Sequence, residues 1–355
     1  MSTAALEILK NSKEFTSLFE SIVESTSAES VMNEMSDIMA SRLYNLGLAD
    51  EASLLRKHAS HHNLKPFFLG YNSYRNFLVP GSAKLEDAVG LLCLGELSTL
   101  HIIIFDELMD SNTTRGGEPT FFGHFKASYP AKAEQRTFIA SDAVLNGFLE
   151  CVLSSTITDA MKVGLLKSHA RCCGITYSSP VREPPSAPVS RDDVNRRYTQ
   201  KSHFFVARFM SELGAILGGS HVSAVDGIDE ILKRITNLTA IRNDISDFEG
   251  KNRSVLEDLK AGSNPLGMYL LSRFCGGSDP ARRAVSGWNE RELIKALTCN
   301  ESRNEAFALD IQARQAVKRS VSGRGENIGN YLLYADHVTN GIAGMLGFKL
   351  TKTLP

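Results

Sequence analysis

Residues 88–105 read AVGLLCLGELSTLHIIIF, an apolar run broken only by Glu96 and His101, and three acids follow at once: Asp106, Glu107 and Asp110. A helix made from this run is apolar over most of its circumference, so it sits centrally with other helices around it. Ending that helix in DELMD carries carboxylates into the interior or to the mouth of a cavity. Carboxylates are costly there unless a cation or solvent receives them.

The rest of the chain repeats the helical pattern. Apolar residues recur at three-to-four spacing in FTSLFESIVES, VMNEMSDIMASRLYNLG, RTFIASDAVLNGFLECVLSS and KSHFFVARFMSELGAILGG. Strand-like alternation is scarce. Pro and Gly fall between the helices, in VPGS (79–82), RGGEPT (115–120), SSPVREPPSAPVS (178–190) and GGSDP (276–280). The Pro-rich stretch 178–190 reads as a flap or a seam. No internal repeat is visible. The expectation is an all-α fold in one domain over 1–355, with the N-terminal helices of 1–68 the least defined.

Composition narrows the function. The formal net charge is −1, so no global basic field draws the chain to nucleic acid or an anionic membrane. A polyanionic ligand must then be met by local basic residues or by metal. Six cysteines show no CxxC pairing, and the adjacent Cys172 and Cys173 make a poor zinc frame, so free thiols in a reducing compartment are expected. The N-terminus has no secretory apolar core, and no apolar stretch reaches the roughly 20 residues of a bilayer span. A cytoplasmic protein without a membrane span is expected.

Asp106 and Asp110 stand four apart and share a helix face. Far downstream, RNDISDFEGK repeats the spacing with Asn243 and Asp247, and Asp244 and Glu249 lie nearby. Two such helices facing one another would offer the hard oxygens that Mg²⁺ prefers. Taken singly, each cluster reads as an acidic helix end in solvent.

The order of these segments resembles the trans-type isoprenyl diphosphate synthases. ELSTLHIIIFDELMDSNTTRGGEPT is similar to that family's apolar helix, DDxxD and RRGxPT. FIASDAVLNGFLE resembles its next helix, YTQKSHFFVARFMSELGAILGG its lysine helix, and AIRNDISDFEGKNRSVLEDLKAG its second aspartate motif. The resemblance runs from about residue 69 to 270. It implies the isoprenoid synthase type I fold, a bundle of helices around a central apolar cavity, and homodimers. It also implies an allylic prenyl diphosphate as substrate, gripped by three Mg²⁺ on Asp106, Asp110, Asn243 and Asp247. Lys201 and Arg115 would support the leaving diphosphate, which makes Asp106, Asp110 and Lys201 the implied catalytic residues.

Four positions depart from the family's second-substrate site. Its Lys falls on Asn72 although Arg75 keeps an Arg, its His on Thr99, its second Arg on Gly116 and its Gln on Ala240. Charge-assisted donors to a diphosphate are worth about 1.5–3 kcal/mol each, so isopentenyl diphosphate is expected to bind poorly. Asn72, Thr99 and Arg75 would then line a remodelled acceptor pocket. The resemblance extends to the indole prenyltransferases of fungal indole-diterpene pathways, which implies a small aromatic acceptor such as indole-3-glycerol phosphate in secondary metabolism. A class I terpene synthase and a non-catalytic partner subunit are the alternatives. Ile102 and His101 before the first motif leave room for a C15–C20 donor, such as geranylgeranyl diphosphate. His101 reads as a core histidine bonded to a carbonyl. Trp288, Tyr331 and Tyr334 read as packing residues, and the run from Arg191 to Arg197 as a solvated helix start.

Overall fold

The computed structural model describes residues 3–59, 64–115, 118–182, 190–249, 256, 259–260, 264–322 and 326–346. At its centre is α5 (Leu85–Asp110), in which nearly every residue from Ala88 to His101 is buried. Around it pack α2 (Ala28–Asn45), α4 (Lys65–Asn76), α6 (Phe121–Ser128), α7 (Ala133–Ser154) and α10 (Met210–Leu217). The two polar interruptions of α5 are both satisfied. Glu96, 1% exposed, accepts the N–H groups of Leu64 at 3.0 Å and Phe67 at 2.9 Å. It thus caps the start of α4, where an anion also meets the helix dipole. His101 is fully buried with Nδ1 on the Ser98 carbonyl, as its sequence setting suggested.

Close approach between α4 and α10 requires glycine. A Cβ on Gly214 would stand 2.0 Å from the Gly70 carbonyl oxygen, so any side chain there separates the helices. Before α10, α9 (Arg191–Tyr198) continues without a break into a π-helical stretch, Thr199–Phe209. A buried ionic network fixes this stretch. Arg208 donates to Glu212, to Asp229 at 2.9 Å and to Asp226 at 2.5 Å, while Glu212 also accepts from Ser168 and Arg171 of α8 (Asp159–Arg182). Burial works against ionised Asp229, but hydrogen bonds from His203, Lys233 and Arg208 outweigh it and hold its pKa well below the usual carboxylate range.

The second half of the fold is organised on α11 (Asp229–Glu249), which packs on the π-helical stretch, α15 (Asn300–Val321) and α16 (Glu326–Met345). Between α11 and α15 come α12 (Pro265–Cys275), α13 (Ser278–Gly287) and α14 (Glu290–Leu297). Helix α1 (Thr3–Thr26) packs along α16, and α3 (Ala49–Ala59) along α2. One contiguous apolar core runs from Ala5 to Leu346. It includes Tyr331 and Tyr334, while Trp288 packs edge-on against Phe274.

The structure corrects three expectations. Two segments, Leu85–Asp110 and Pro130–Ser154, are long and apolar enough to cross a bilayer, and the first is 78% buried as a core helix. Helix α8 extends to Arg182, so the start of the Pro-rich stretch is helical, and residues 183–189 lie outside the described residues. The start of α9 is not merely solvated. Arg191 forms two 2.8 Å bonds to Glu305 of α15, which also accepts from Tyr269 at 2.6 Å, and the Arg191 and Tyr269 hydrogen bonds bring the Glu305 pKa down to about 2.

Candidate active site

The three acids at the end of α5 separate by duty. Asp106 and Asp110 are half-buried on one face, whereas Glu107 points inward and is fully buried. Glu107 Oε2 accepts the N–H of Phe121 at 3.2 Å, the first residue of α6. Beside it Thr120 caps the same helix, its Oγ1 accepting from Gly123 at 2.8 Å and donating to the Asn112 carbonyl at 2.6 Å. Gly123 is required here, because a Cβ would fall 1.9 Å from the Thr113 oxygen. The Pro-Thr ending RGGEPT is therefore a helix start as well as a motif. Ser111, in the left-handed region at φ 56°, ends α5 directly after Asp110. A two-residue hairpin follows, Thr114–Arg115 against Glu118–Pro119, the one strand pair among the described residues.

Upstream on the Asp106 face, α5 loses the burial it has elsewhere. Ile102 and Ile103 are only partly buried, which leaves apolar surface one turn from the carboxylates. Thr99 is one turn further on that face, 5% exposed, its hydroxyl donating to the Glu96 carbonyl at 2.6 Å.

The second cluster is divided in the same way. Asp244 is buried and accepts from Tyr198 at 2.6 Å and from the N–H of Leu266, in the first turn of α12, at 2.9 Å. Asp247 is 1% exposed, and its Oδ2 accepts from Asn264 at 3.0 Å and from the N–H of Leu259 at 3.3 Å. Asn243 is exposed. The i,i+4 pair thus presents one accessible amide and one carboxylate with an oxygen already engaged, unlike the symmetric pair that spacing suggested.

Two residues expected at the acceptor pocket lie away from the first carboxylate cluster. Leu64 and Phe67 lie beside Glu96, and Gly70 against Leu92, so α4 runs antiparallel to α5. At 1.5 Å per residue, Asn72 and Arg75 then lie on the order of 25–30 Å from Asp106. Asn72 is 2% exposed and accepts from Asn330 at 3.0 Å, while Arg75 sits exposed at the far end of α4. Both were expected at the acceptor pocket, and both lie far along α4 from the first carboxylate cluster. Arg115 and Lys201 have their backbones in the hairpin and in the π-helical stretch; their side chains lie outside the described residues.

At the opposite end of α4, its start, stands Lys65. Burial and the Arg242 guanidinium lower its pKa to about 8. His337 of α16 is likewise lowered, by burial and by the charges of Lys65 and Arg242. Arg242 immediately precedes Asn243, and its guanidinium lies against Gly341, 3.6 Å from where a Cβ would stand. Lys65 and Arg242 thus bring positive charge together near the second cluster, with His337 beside them favoured in its neutral form. Sequence reading passed over them, although the Lys-Pro at a helix start was a usable signal for Lys65.

Neither a protein-family model nor a curated protein matches this sequence. Solved structures do. A geranylgeranyl pyrophosphate synthase from Corynebacterium glutamicum, complexed with isoprenyl diphosphate and magnesium, is similar at TM-score 0.68 and 15% identity, over 88% of this chain and 98% of its own. A polyprenyl synthase from Caulobacter crescentus, complexed with calcium and isoprenyl diphosphate, gives 0.63 and 16%, over 90% and 95%. A heptaprenyl diphosphate synthase from Staphylococcus aureus gives 0.60 and 16%, over 87% and 98%. This chain has the all-α fold of the trans-isoprenyl diphosphate synthases, the isoprenoid synthase type I fold.

Proposed function

We propose that the chain is a prenyltransferase that ionises an allylic prenyl diphosphate of C15–C20 length and passes the prenyl group to a small phosphorylated acceptor. The observation that carries this reading is the pairing of Asp106 and Asp110, half-buried on one face, with the accessible apolar surface of Ile102 and Ile103 a turn away. The carboxylates suit the diphosphate end through metal, and the isoleucines suit the tail. Hard oxygen donors fit Mg²⁺; Asp106 and Asp110 would hold it on one side, with Asn243 and Asp247 Oδ1 on the other, for the three ions the resemblance implies. Bound there, Mg²⁺ supplies Lewis-acid stabilisation of the departing diphosphate. Lys201 and Arg115 would add charge-assisted donors to the same oxygens. Phe105, which follows the isoleucines on α5, meets Tyr177 with ring centroids 4.6 Å apart, an aromatic pair that would help keep water from the cation.

The pocket of Lys65, Arg242 and His337 would seat the acceptor's phosphate. Indole-3-glycerol phosphate is the acceptor proposed, since Thr99 and Ala240 replace the basic and amide groups that the family uses for isopentenyl diphosphate. Isopentenyl diphosphate itself is the second reading, favoured by Lys65 and Arg242, which supply cationic groups that Asn72 and Arg75 do not. Exposed Phe138 and Ile139 near the start of α7 and Leu153 near its end would meet a second copy in a homodimer.

Incubation of geranylgeranyl diphosphate and Mg²⁺ with each acceptor, followed by product extraction, tests this. A prenylated indole is the expected product. An elongated diphosphate would select the second reading, and hydrocarbons formed without any acceptor would replace transfer by cyclisation.

A further inference from the structure

His101, His169 and Cys173 come together inside the bundle, 0%, 3% and 7% exposed. His101 is on α5; His169 and Cys173 are one turn apart on α8. Cys173 Sγ lies 3.5 Å from His101 Nε2 and 3.5 Å from His169 Nδ1, and one ligand atom from each residue falls within 4.8 Å of the others. Ligands around a single ion, with metal–nitrogen near 2.0–2.1 Å and metal–sulfur near 2.3 Å, stand about 3.4–3.6 Å apart. The two sulfur–nitrogen separations already have that value.

The tautomer of His101 is fixed in the required sense. Its Nδ1 faces the Ser98 carbonyl, and a carbonyl only accepts, so the proton is on Nδ1 and the Nε2 lone pair faces Cys173. A backbone carbonyl on the non-ligating nitrogen is how metal-binding histidines are commonly oriented. Cys173 is buried, so its thiolate needs a cation beside it.

The surroundings choose the charge of that cation. Phe148 stacks on His169 at 4.5 Å, and Phe205 and Tyr177 meet His101 edge-on at 5.2 and 5.8 Å. Aromatic walls supply no formal charge, and an uncompensated buried charge is costly. One thiolate with two neutral imidazoles balances a single positive charge. We infer that His101, His169 and Cys173 form a binding site for one Cu⁺ ion, a soft cation that thiolate and imidazole ligands suit. Binding forms one Cu–S and two Cu–N bonds, releases the thiol proton to solvent and leaves copper as Cu⁺. The inference is independent of the prenyl-transfer reading.

To test it, the full chain is loaded anaerobically with Cu⁺ from its bicinchoninate complex, desalted and assayed for copper. About one ion per chain is expected in the wild type, in Cys172→Ser and in Asp110→Ala, falling severalfold in Cys173→Ser and His169→Gln. Equal retention by Cys173→Ser, or none by the wild type, overturns the site. X-ray absorption of the loaded wild type needs no variant; one sulfur and two nitrogen neighbours are expected, and any other set contradicts the assignment. Zn²⁺ held in preference to Cu⁺ with the same variant dependence would overturn the monovalent choice.

Discussion

The ends of α5 and α11 carry nearly the same acidic sequence and use it differently. In each, one carboxylate turns inward and meets the start of a later helix: Glu107 at α6 and Asp244 at α12. In α5 the remaining pair, Asp106 and Asp110, stays half-buried on one face. In α11 the remaining pair is unequal, because Asn243 is exposed and Asp247 is bonded to Asn264 and Leu259. An aspartate-rich motif thus divides its members between fastening the fold and, under the proposed function, facing the ligand. Its members are told apart by burial and partner, since spacing alone treats them alike.

Variants that separate these duties test the comparison. The largest effect is expected for Asp110→Ala, which should lower Mg²⁺-dependent pyrophosphate release by about 10²–10³-fold, on the scale of losing one electrostatic stabiliser of a transition state. Its thermal unfolding should stay near wild type, and a variant that is active or fails to fold breaks the assignment. Asp244→Ala should act on the fold instead. Leaving Tyr198 and the Leu266 N–H unpaired is expected to cost about 2–3 kcal/mol in urea denaturation, and an unchanged midpoint would show that α12 is held by other contacts.

Lys65→Gln should weaken the phosphorylated acceptor about tenfold, the equivalent of one charge-assisted hydrogen bond, measured as KM at fixed donor. The pH dependence has a definite sign. Burial and Arg242 lower Lys65 from 10.5 to about 8, so it is charged below about 8 and acceptor affinity should fall as pH rises through that value. For stability the direction is the reverse: the neutral form is favoured in the fold, so its contribution is complete above 10.5 and lost as pH falls through about 8. A profile flat to pH 10 removes Lys65 from the pocket. The smallest effect is expected for Glu107→Gln, whose amide oxygen can still accept from Phe121. It should cost about 1 kcal/mol or less and leave Mg²⁺ dependence intact. Loss of that dependence would make Glu107 a ligand and erase the contrast with Asp106.

Much of this was legible beforehand. The central position of α5 follows from an apolar run too continuous for a surface helix, and Asp106 and Asp110 follow from its end. The duty of Glu107 was not legible, because its partner Phe121 is fourteen residues away across a turn. Asn72 and Arg75 are assigned by matching residue types, which leaves out the direction of α4. Its Lys-Pro start at Lys65 marks the end nearer Asp106, and Arg75 marks the other. The π-helical stretch that carries Lys201 has no sequence signature. The approach of His101 to Cys173 spans 72 positions and depends on how α8 packs beside α5.

Pyrophosphate release from geranylgeranyl diphosphate, measured with and without Mg²⁺ in wild type and Asp110→Ala, tests the central claim most directly. Metal-dependent release by the wild type and its near-complete loss in the variant are the predicted result. Equal release by both proteins, or none from any allylic diphosphate of C10 to C20 length, would contradict it.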